Sequence, residues 1–235
     1  MSIQQFNIDQ GYTIFSEANY QTKKHTHYAI EVVCCAGGSF NISTSNTEYA
    51  NIKSVIIPSS LAHSFSCSDA TCDLLFLDPL SAIGLYLLQE YNLALLNNII
   101  INPPGIQQWY KNGSFDISFL LNKARENQDV KIDPRITTCI QTINAYNGDT
   151  RLTVDWLAKT SFISGSRLAH LFKKQTGISV HQCILWKKIL LAVQRTREGY
   201  SLTEAAHDTG FSDSSHFNKV FNRMFGVNPF FVLKT

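Results

Sequence analysis

Through residues 1–80 the apolar positions come in short runs separated by turn formers. YAIEVVCC (28–35), GSFNIS (38–43), KSVIIPSS (53–60) and CDLLFLD (72–78) are rich in Val, Ile and Phe and bounded by Gly, Pro, Ser and Asn. That texture predicts many short strands, hence a barrel or a sandwich. From residue 81 the spacing becomes helical. Residues 81–97 and 115–127 read as helices, separated by the break at Pro103-Pro104-Gly105. Their apolar stripes are Leu85, Leu88, Tyr91 and Leu95 in the first and Phe115, Phe119 and Leu120 in the second.

From residue 133 onward, helix starts and stops are written clearly. Asp133-Pro134 offers an N-cap followed by proline at the first helical position. Thr153 caps a helix with Asp155 in its first turn, and Ser164 caps another that ends at Gly177. Ser179 with Gln182 forms a capping box that opens a long helix running to about Glu198 and stopped by Gly199. Ser201 with Glu204 forms a second box, and a last helix runs from about Asp213 to Phe225 before Gly226 and Pro229. At least six helices are expected. The whole chain is therefore read as α+β, with an N-terminal β-barrel over 1–80, a helical linker or dimerisation region over 81–130, and an all-α domain over 131–235.

The all-α part contains an internal repeat. SGSRLAHLFKKQTGIS (164–179) returns 49 residues later as DSSHFNKVFNRMFGVN (213–228). Leu168, Leu171 and Phe172 correspond to Phe217, Val220 and Phe221, while Leu157-Ala158 and Ala205-Ala206 hold equivalent places upstream, with one extra residue in the second turn. A helix–turn–helix unit thus occurs twice. The i, i+3, i+4 spacing buries those apolar triplets. It leaves Ser166, Arg167, Ala169, His170, Lys173 and Lys174 outside on the first helix. On the second, Ser214, Ser215, His216, Asn218, Lys219, Asn222 and Arg223 are outside.

Charge sharpens this picture. The formal net charge is only +2, but residues 1–133 hold seven basic and twelve acidic side chains, a net of −5, and residues 134–235 hold thirteen and six, a net of +7. A basic half points to a polyanion partner. Neither repeated helix carries an acidic residue on its outer face apart from Asp213 at one N-terminal end. Ser, Asn, His, Lys and Arg are the side chains that read base edges and hold phosphates in a major groove. A polar face alone is ordinary for a surface helix; two copies joined by a helix about 28 Å long favour a pair of reading heads for double-stranded DNA, which enter successive grooves about 34 Å apart.

On these residues the chain resembles the AraC/XylS family of transcriptional regulators. GFSDSSHFNKVFNRMFGVNP matches the family's second-unit signature and LAKTSFISGSRLAHLFKKQTGIS its first. The resemblance implies base-facing roles for Ser166 and His170 in the first unit and for Ser215, His216 and Lys219 in the second. His170 stands where the family often has arginine, and Asn222 where lysine is usual. The resemblance also implies a homodimer formed through the 81–130 region, a small-molecule effector held by the N-terminal domain, and contact with RNA polymerase.

The acidic half has its own cluster. In HTHYAIEVVCCAGG, a strand would place His25, His27 and Glu31 on one face, and His63 follows Pro58 in PSSLAH. This resembles the cupin pattern HxHxxxE with a later PxGxxH, with Ser60 in place of the glycine and Cys67 where asparagine is common. Three readings stay open: a hydrogen-bonded group at a barrel mouth, an effector pocket, or a site for a divalent metal as cofactor. A metal-dependent cupin enzyme with an accessory helical domain is the alternative function, and a repair methyltransferase lacks the zinc-spaced cysteines it would need. An enzyme does not need the basic, repeated helix pair, so the chain is read as a non-enzyme. The six cysteines show no CxxC spacing, and adjacent Cys34 and Cys35 would point to opposite faces of a strand. The start MSIQQFNIDQ has neither a basic stretch nor an apolar run, so no signal peptide is expected; the most apolar run, near Leu93–Ile101, is broken by Asn97 and Asn98 and too short to span a bilayer, so a cytoplasmic location is expected.

Overall fold

The computed structural model describes residues 2–7, 9–68, 70–127, 132–148, 152–225 and 229. The chain divides into two compact units, Met1–Val130 and Lys131–Thr235.

The first unit is built on two sheets. Strands β1 (Ser2–Asn7), β2 (Tyr12–Ala18), β3 (Ile30–Cys35), β6 (Ser54–Ile57), β8 (Thr71–Leu77) and β9 (Ile100–Ile101) form one sheet in the order β1-β2-β8-β3-β6-β9. Strands β4 (Phe40–Thr44), β5 (Glu48–Ile52) and β7 (His63–Ser66) form another in the order β5-β4-β7. Among the described residues these sheets do not close into a barrel, which corrects the barrel expectation. The segment that would join them, between β2 and β3, pairs with β7 as isolated bridges at Gln21–Ser66 and His25–His63 and through Thr22, which exchanges hydrogen bonds with Phe65, rather than as a continuous ladder. Gln21, Lys23 and Lys24 are polar and exposed, so the middle of the segment offers little apolar surface with which to extend a ladder.

Strand β3 is buried at every position. Ile30, Val32 and Cys34 on one side join Ile14, Leu75 and Leu77 under the helices α1 (Ala82–Glu90) and α3 (Ile117–Glu126). Cys35 pairs with Cys72 on the register that turns Glu31 toward Phe76, so Cys34 and Cys35 do face opposite ways. All six cysteines are buried, and none is in a disulfide. The Cys67 and Cys72 thiols approach to 3.1 Å, and burial pushes the Cys72 thiol far above its ordinary range, so it is an inert packing residue rather than a nucleophile.

The helices here are shorter than the sequence suggests. Helix α1 stops at Glu90 because Asn92 is left-handed (φ 52°), after which Leu93–Leu95 makes a single 3-10 turn. Phe115 belongs not to a helix but to a small hairpin of β10 (Tyr110–Lys111) and β11 (Ser114–Phe115), which follows the one-turn helix α2 (Ile106–Trp109). Asp116 then caps α3 by accepting from the Phe119 N–H at 2.9 Å. Most of both apolar stripes is taken up within the unit: Leu88, Phe115 and Leu120 are buried and Leu85, Tyr91 and Phe119 half-buried, whereas Leu95 is exposed.

Among the described residues the elements of the second unit are all helices: α4 (Pro134–Asn144), α5 (Val154–Thr160), α6 (Gly165–Thr176), α7 (Val180–Arg197), α8 (Leu202–Asp208) and α9 (Ser214–Phe225). The caps lie where the sequence places them. Thr153 and Ser164 accept from Trp156 and Arg167, and both capping boxes, Ser179–Gln182 and Ser201–Glu204, are closed in both directions. Gly177 ends α6 with φ 76°. Helix α7, with 18 residues, is about 27 Å long and packs against α4 and α6 on one side of the repeat and α8 and α9 on the other. No described helix is long and apolar enough to cross a membrane.

Candidate functional site

The two helix–turn–helix units repeat down to single hydrogen bonds. In the first, the Ser161, Phe162 and Ile163 amides donate to Leu157, Lys159 and Ala158. In the second, the Thr209, Gly210 and Phe211 amides donate to Ala205, His207 and Ala206. Each helix therefore ends in the same left-handed turn and presents an apolar residue, Ile163 or Phe211, before the next cap. The packing faces match too. Leu168, Leu171 and Phe172 are 0, 8 and 0 % exposed, and Phe217, Val220 and Phe221 repeat those values. Ala158 and Ala206 are small enough to let the paired helices approach closely and are both buried.

On the outer face of α6, Ser166, Arg167, His170, Lys173 and Lys174 are all exposed. On α9, Ser215, His216, Lys219, Asn222 and Arg223 are exposed, while Ser214 is half-buried. Asn218, expected outside, is half-buried as well, and its Oδ1 is buried with no hydrogen-bond partner. The reason is its place beside Phe217 at the margin of the apolar stripe, which spacing alone assigns to neither face. His216 is held rather than free. Asp213 Oδ1 accepts from its amide at 2.7 Å, its ring stands edge-on to Phe211, and its Nδ1 accepts from the Ser212 amide at 3.5 Å. The Ser212 hydroxyl also lies 3.2 Å from the same Nδ1.

A model of the helix-turn-helix domain matches residues 157–234. The arabinose operon regulatory protein of Escherichia coli is 31 % identical over 114 residues, 46 % of this chain and 38 % of that protein. The probable transcriptional regulator LumQ of Photobacterium leiognathi is 36 % identical over 80 residues, 34 % of this chain and 32 % of that protein. The carboxyl-terminal unit belongs to the AraC/XylS family. This chain spans only about a third of the length of the curated relatives it matches. Over nearly the whole chain the fold is similar to that of a solved structure. ToxT from Vibrio cholerae, solved with an unsaturated fatty acid bound, superposes with a TM-score of 0.57 over 94 % of each chain at 12 % identity. Another ToxT structure gives 0.55 over 94 % of this chain and 97 % of that one, also at 12 %. At that identity the likeness is one of fold.

In the amino-terminal unit the four expected residues do come together, though not on one strand, since β3 begins only at Ile30. His27 Nε2 lies 2.8 Å from Glu31 Oε2, and His63 Nε2 lies 3.2 Å from the same oxygen. His25 completes the group, its ring centroid 4.4 Å from that of His63. His27, Glu31 and His63 are 2, 3 and 1 % exposed, and His25 is half-buried. Burial pushes the Glu31 carboxyl up, but contact with His27 and His63 outweighs it and holds the carboxyl below the usual range. His63 is raised because its neighbour Glu31 outweighs burial, while burial and His63 lower His25. His25, His27 and His63 bring their ligand atoms within 4.8 Å of one another and, with Glu31, are the residues that could hold a metal.

Sequence reasoning missed a second polar site. A cavity of about 490 Å³ is lined by Gln5, Ser16, Thr71, Asp73, Ser114 and Phe115 among others, and by none of the His/Glu cluster. Asp73 is 8 % exposed. Its carboxylate accepts from the Ser16 hydroxyl and, at 2.7 Å, from Tyr110. Burial and Asp73 together push the Tyr110 phenol far above its ordinary range, so it serves as a donor. The signal was an acid inside the otherwise apolar run CDLLFLD.

Proposed function

We propose that the chain is a sequence-specific DNA-binding transcriptional regulator controlled by a small-molecule effector held in its amino-terminal unit. The observation that carries this reading is the duplicated turn and cap with an exposed basic face on each copy. In this reading α6 and α9 enter successive major grooves of double-stranded DNA. Ser166, His170, Ser215, His216 and Lys219 face bases. Arg167, Lys173, Lys174 and Arg223 hold phosphates, and Ser214 and Asn218 support α9 from its margin. The effector occupies the Asp73 cavity, where donors and a buried carboxylate favour a polar molecule that bears hydroxyl or amino groups. It acts by binding one arrangement of the protein more tightly than another. Homodimer formation, contact with RNA polymerase and a cytoplasmic location belong to the same reading. The relatives are regulators, which gives the alternative of a metal-dependent enzyme no support.

The test is selection of bound duplexes from a randomised pool by the full chain. Enrichment of a site spanning two successive grooves is expected. Changing Lys173 and Lys174 to Ala should then weaken binding evenly and flatten the salt dependence by about 0.9 in log–log slope per lost phosphate contact. Changing Lys219 to Ala should relax preference at particular base pairs, by about 1–3 kcal/mol. A pool that yields no enriched sequence overturns the reading.

A further inference from the structure

We propose that the Asp73 cavity binds a small organic cation, a primary amine or guanidine that also carries hydroxyl or amide groups. The inference rests on the reading that this cavity holds the effector, and it names the effector's charge. The site is separate from the His/Glu cluster. Asp73 pairs with Ser16 of β2 and with Cys34 of β3, and residues paired directly across strands point to the same side. Cys34 lies under the helices, whereas Glu31, three residues earlier on β3, points to the other face of the sheet. The cavity thus opens on the helix-covered face, where the hairpin of β10 and β11 brings Gly113, Ser114 and Phe115 to its wall.

This cavity holds a charge without a counter-charge. Asp73 is 8 % exposed. One of its oxygens accepts from the Ser16 hydroxyl and the other from Tyr110, as suits the ionised form, in which both oxygens are acceptors. Hydroxyl dipoles ease the burial of that charge but do not cancel it. No ion pair among the described residues includes Asp73, and no other described residue lining the cavity is charged. Its neighbours register the charge: the Cys34 thiol and the Tyr110 phenol are pushed up by burial first and by Asp73 next.

A buried carboxylate that lacks a cation is costly. It has about four acceptor positions and two are taken, so an ammonium or guanidinium can still donate to it. A neutral sugar would leave the charge uncancelled, and a carboxylate ligand would be repelled. The net charge of −5 over residues 1–133 acts in the same sense at longer range. One carboxylate is too little for Ca²⁺ or Mg²⁺, which are held by several oxygen ligands. The rest of the cavity suits an organic body. Gln4, Gln5, Thr71 and Ser114 offer hydrogen bonds, Ile14 and Phe115 form an apolar wall, and about 490 Å³ is the volume of a small-molecule pocket.

The test uses the full chain and no DNA. Thermal midpoints and calorimetry are followed with two matched sets of probes at equal ionic strength: glucosamine, glucose and glucuronate, and putrescine, butanediol and succinate, with Mg²⁺ as control. The expected result is saturable binding of an amine, none of its neutral or anionic counterparts or of Mg²⁺, and affinity at least about tenfold lower in Asp73→Asn. That variant keeps the volume and one acceptor oxygen, and circular dichroism checks its fold. Thr71 gives a second variant, since it is exposed and lies two residues from Asp73 on the same face of β8. Thr71→Lys should supply the missing cation and abolish the amine response. No response to either amine, an equal response to the neutral or anionic probes, or an amine response unchanged in both variants overturns the proposal. A duplex pool with no enriched sequence would sink the regulator reading and leave an amine site shown in this way standing.

Discussion

Phe162 stands where Gly210 stands. Both close the first helix of their helix–turn–helix unit, both are left-handed, with φ of 55° and 80°, and both donate from the amide to the carbonyl three residues back. A bulky residue in that conformation costs about 1–2 kcal/mol, and Phe162 recovers nothing by packing, because it is 94 % exposed.

The two positions therefore respond oppositely. Phe162→Gly should raise stability by up to about 1 kcal/mol, the relieved strain being offset in part by the greater chain entropy of glycine. Gly210→Ala should lower it by about 1 kcal/mol or more, from positive φ and from a Cβ that would lie 3.0 Å from Lys188 Nζ. Urea unfolding of the two variants, compared at equal m-value, checks both signs.

Gly84 lies inside α1, where alanine is normally favoured by about 1 kcal/mol. Here a Cβ would fall 2.0 Å from the Asp78 carbonyl oxygen and 2.9 Å from the Pro79 carbonyl carbon. That backbone cannot give easily, because Ser81 donates to the same oxygen from both its amide and its hydroxyl, at 3.0 and 2.7 Å. Gly84→Ala should cost about 1–3 kcal/mol despite its helix propensity, read as a lower thermal midpoint.

Ser179 accepts from the Gln182 amide at 3.2 Å, and Gln182 Oε1 accepts from the Ser179 amide at 2.9 Å. Ser179→Ala removes one arm of the box at the start of α7 and should cost about 1 kcal/mol. Faster amide exchange confined to the first turn of α7 would place the loss there.

Asp133 receives hydrogen bonds from the Arg135 side chain and amide, which lower its carboxyl to about 2. A depressed folded-state value means that the ionised form stabilises the fold above the ordinary carboxylate range of about 4 and that this contribution is lost as pH falls through about 2. An NMR titration of the Asp133 carboxyl should show that midpoint, and Arg135→Ala should move it upward.

Much of the second unit was legible because its signals are local. A capping box spans four residues, and the stripe Leu168, Leu171, Phe172 spans one turn and a half; both act through hydrogen bonds and contacts that the helix itself creates. The repeat then supplied an internal control, since two copies of a spacing are hard to obtain by chance. Asn218 was misplaced because it sits at the edge of the stripe, where neighbouring helices decide burial. The strands of the first unit were legible as strands, but not as two separate sheets, since pairing depends on partners far along the chain.

The sequence by itself determined the helices of the second unit, their caps, their duplicated apolar triplets and the basic faces left outside, because each is set by residues within a turn or two of one another. It also named His25, His27, Glu31 and His63. Only the tertiary structure decided that one carboxylate oxygen meets two of those imidazoles, and that Asp73 lies buried beside a cavity. Those facts depend on strands pairing across tens of residues. No local period encodes such closeness, because the free energy that enforces it is the burial of both sheets together.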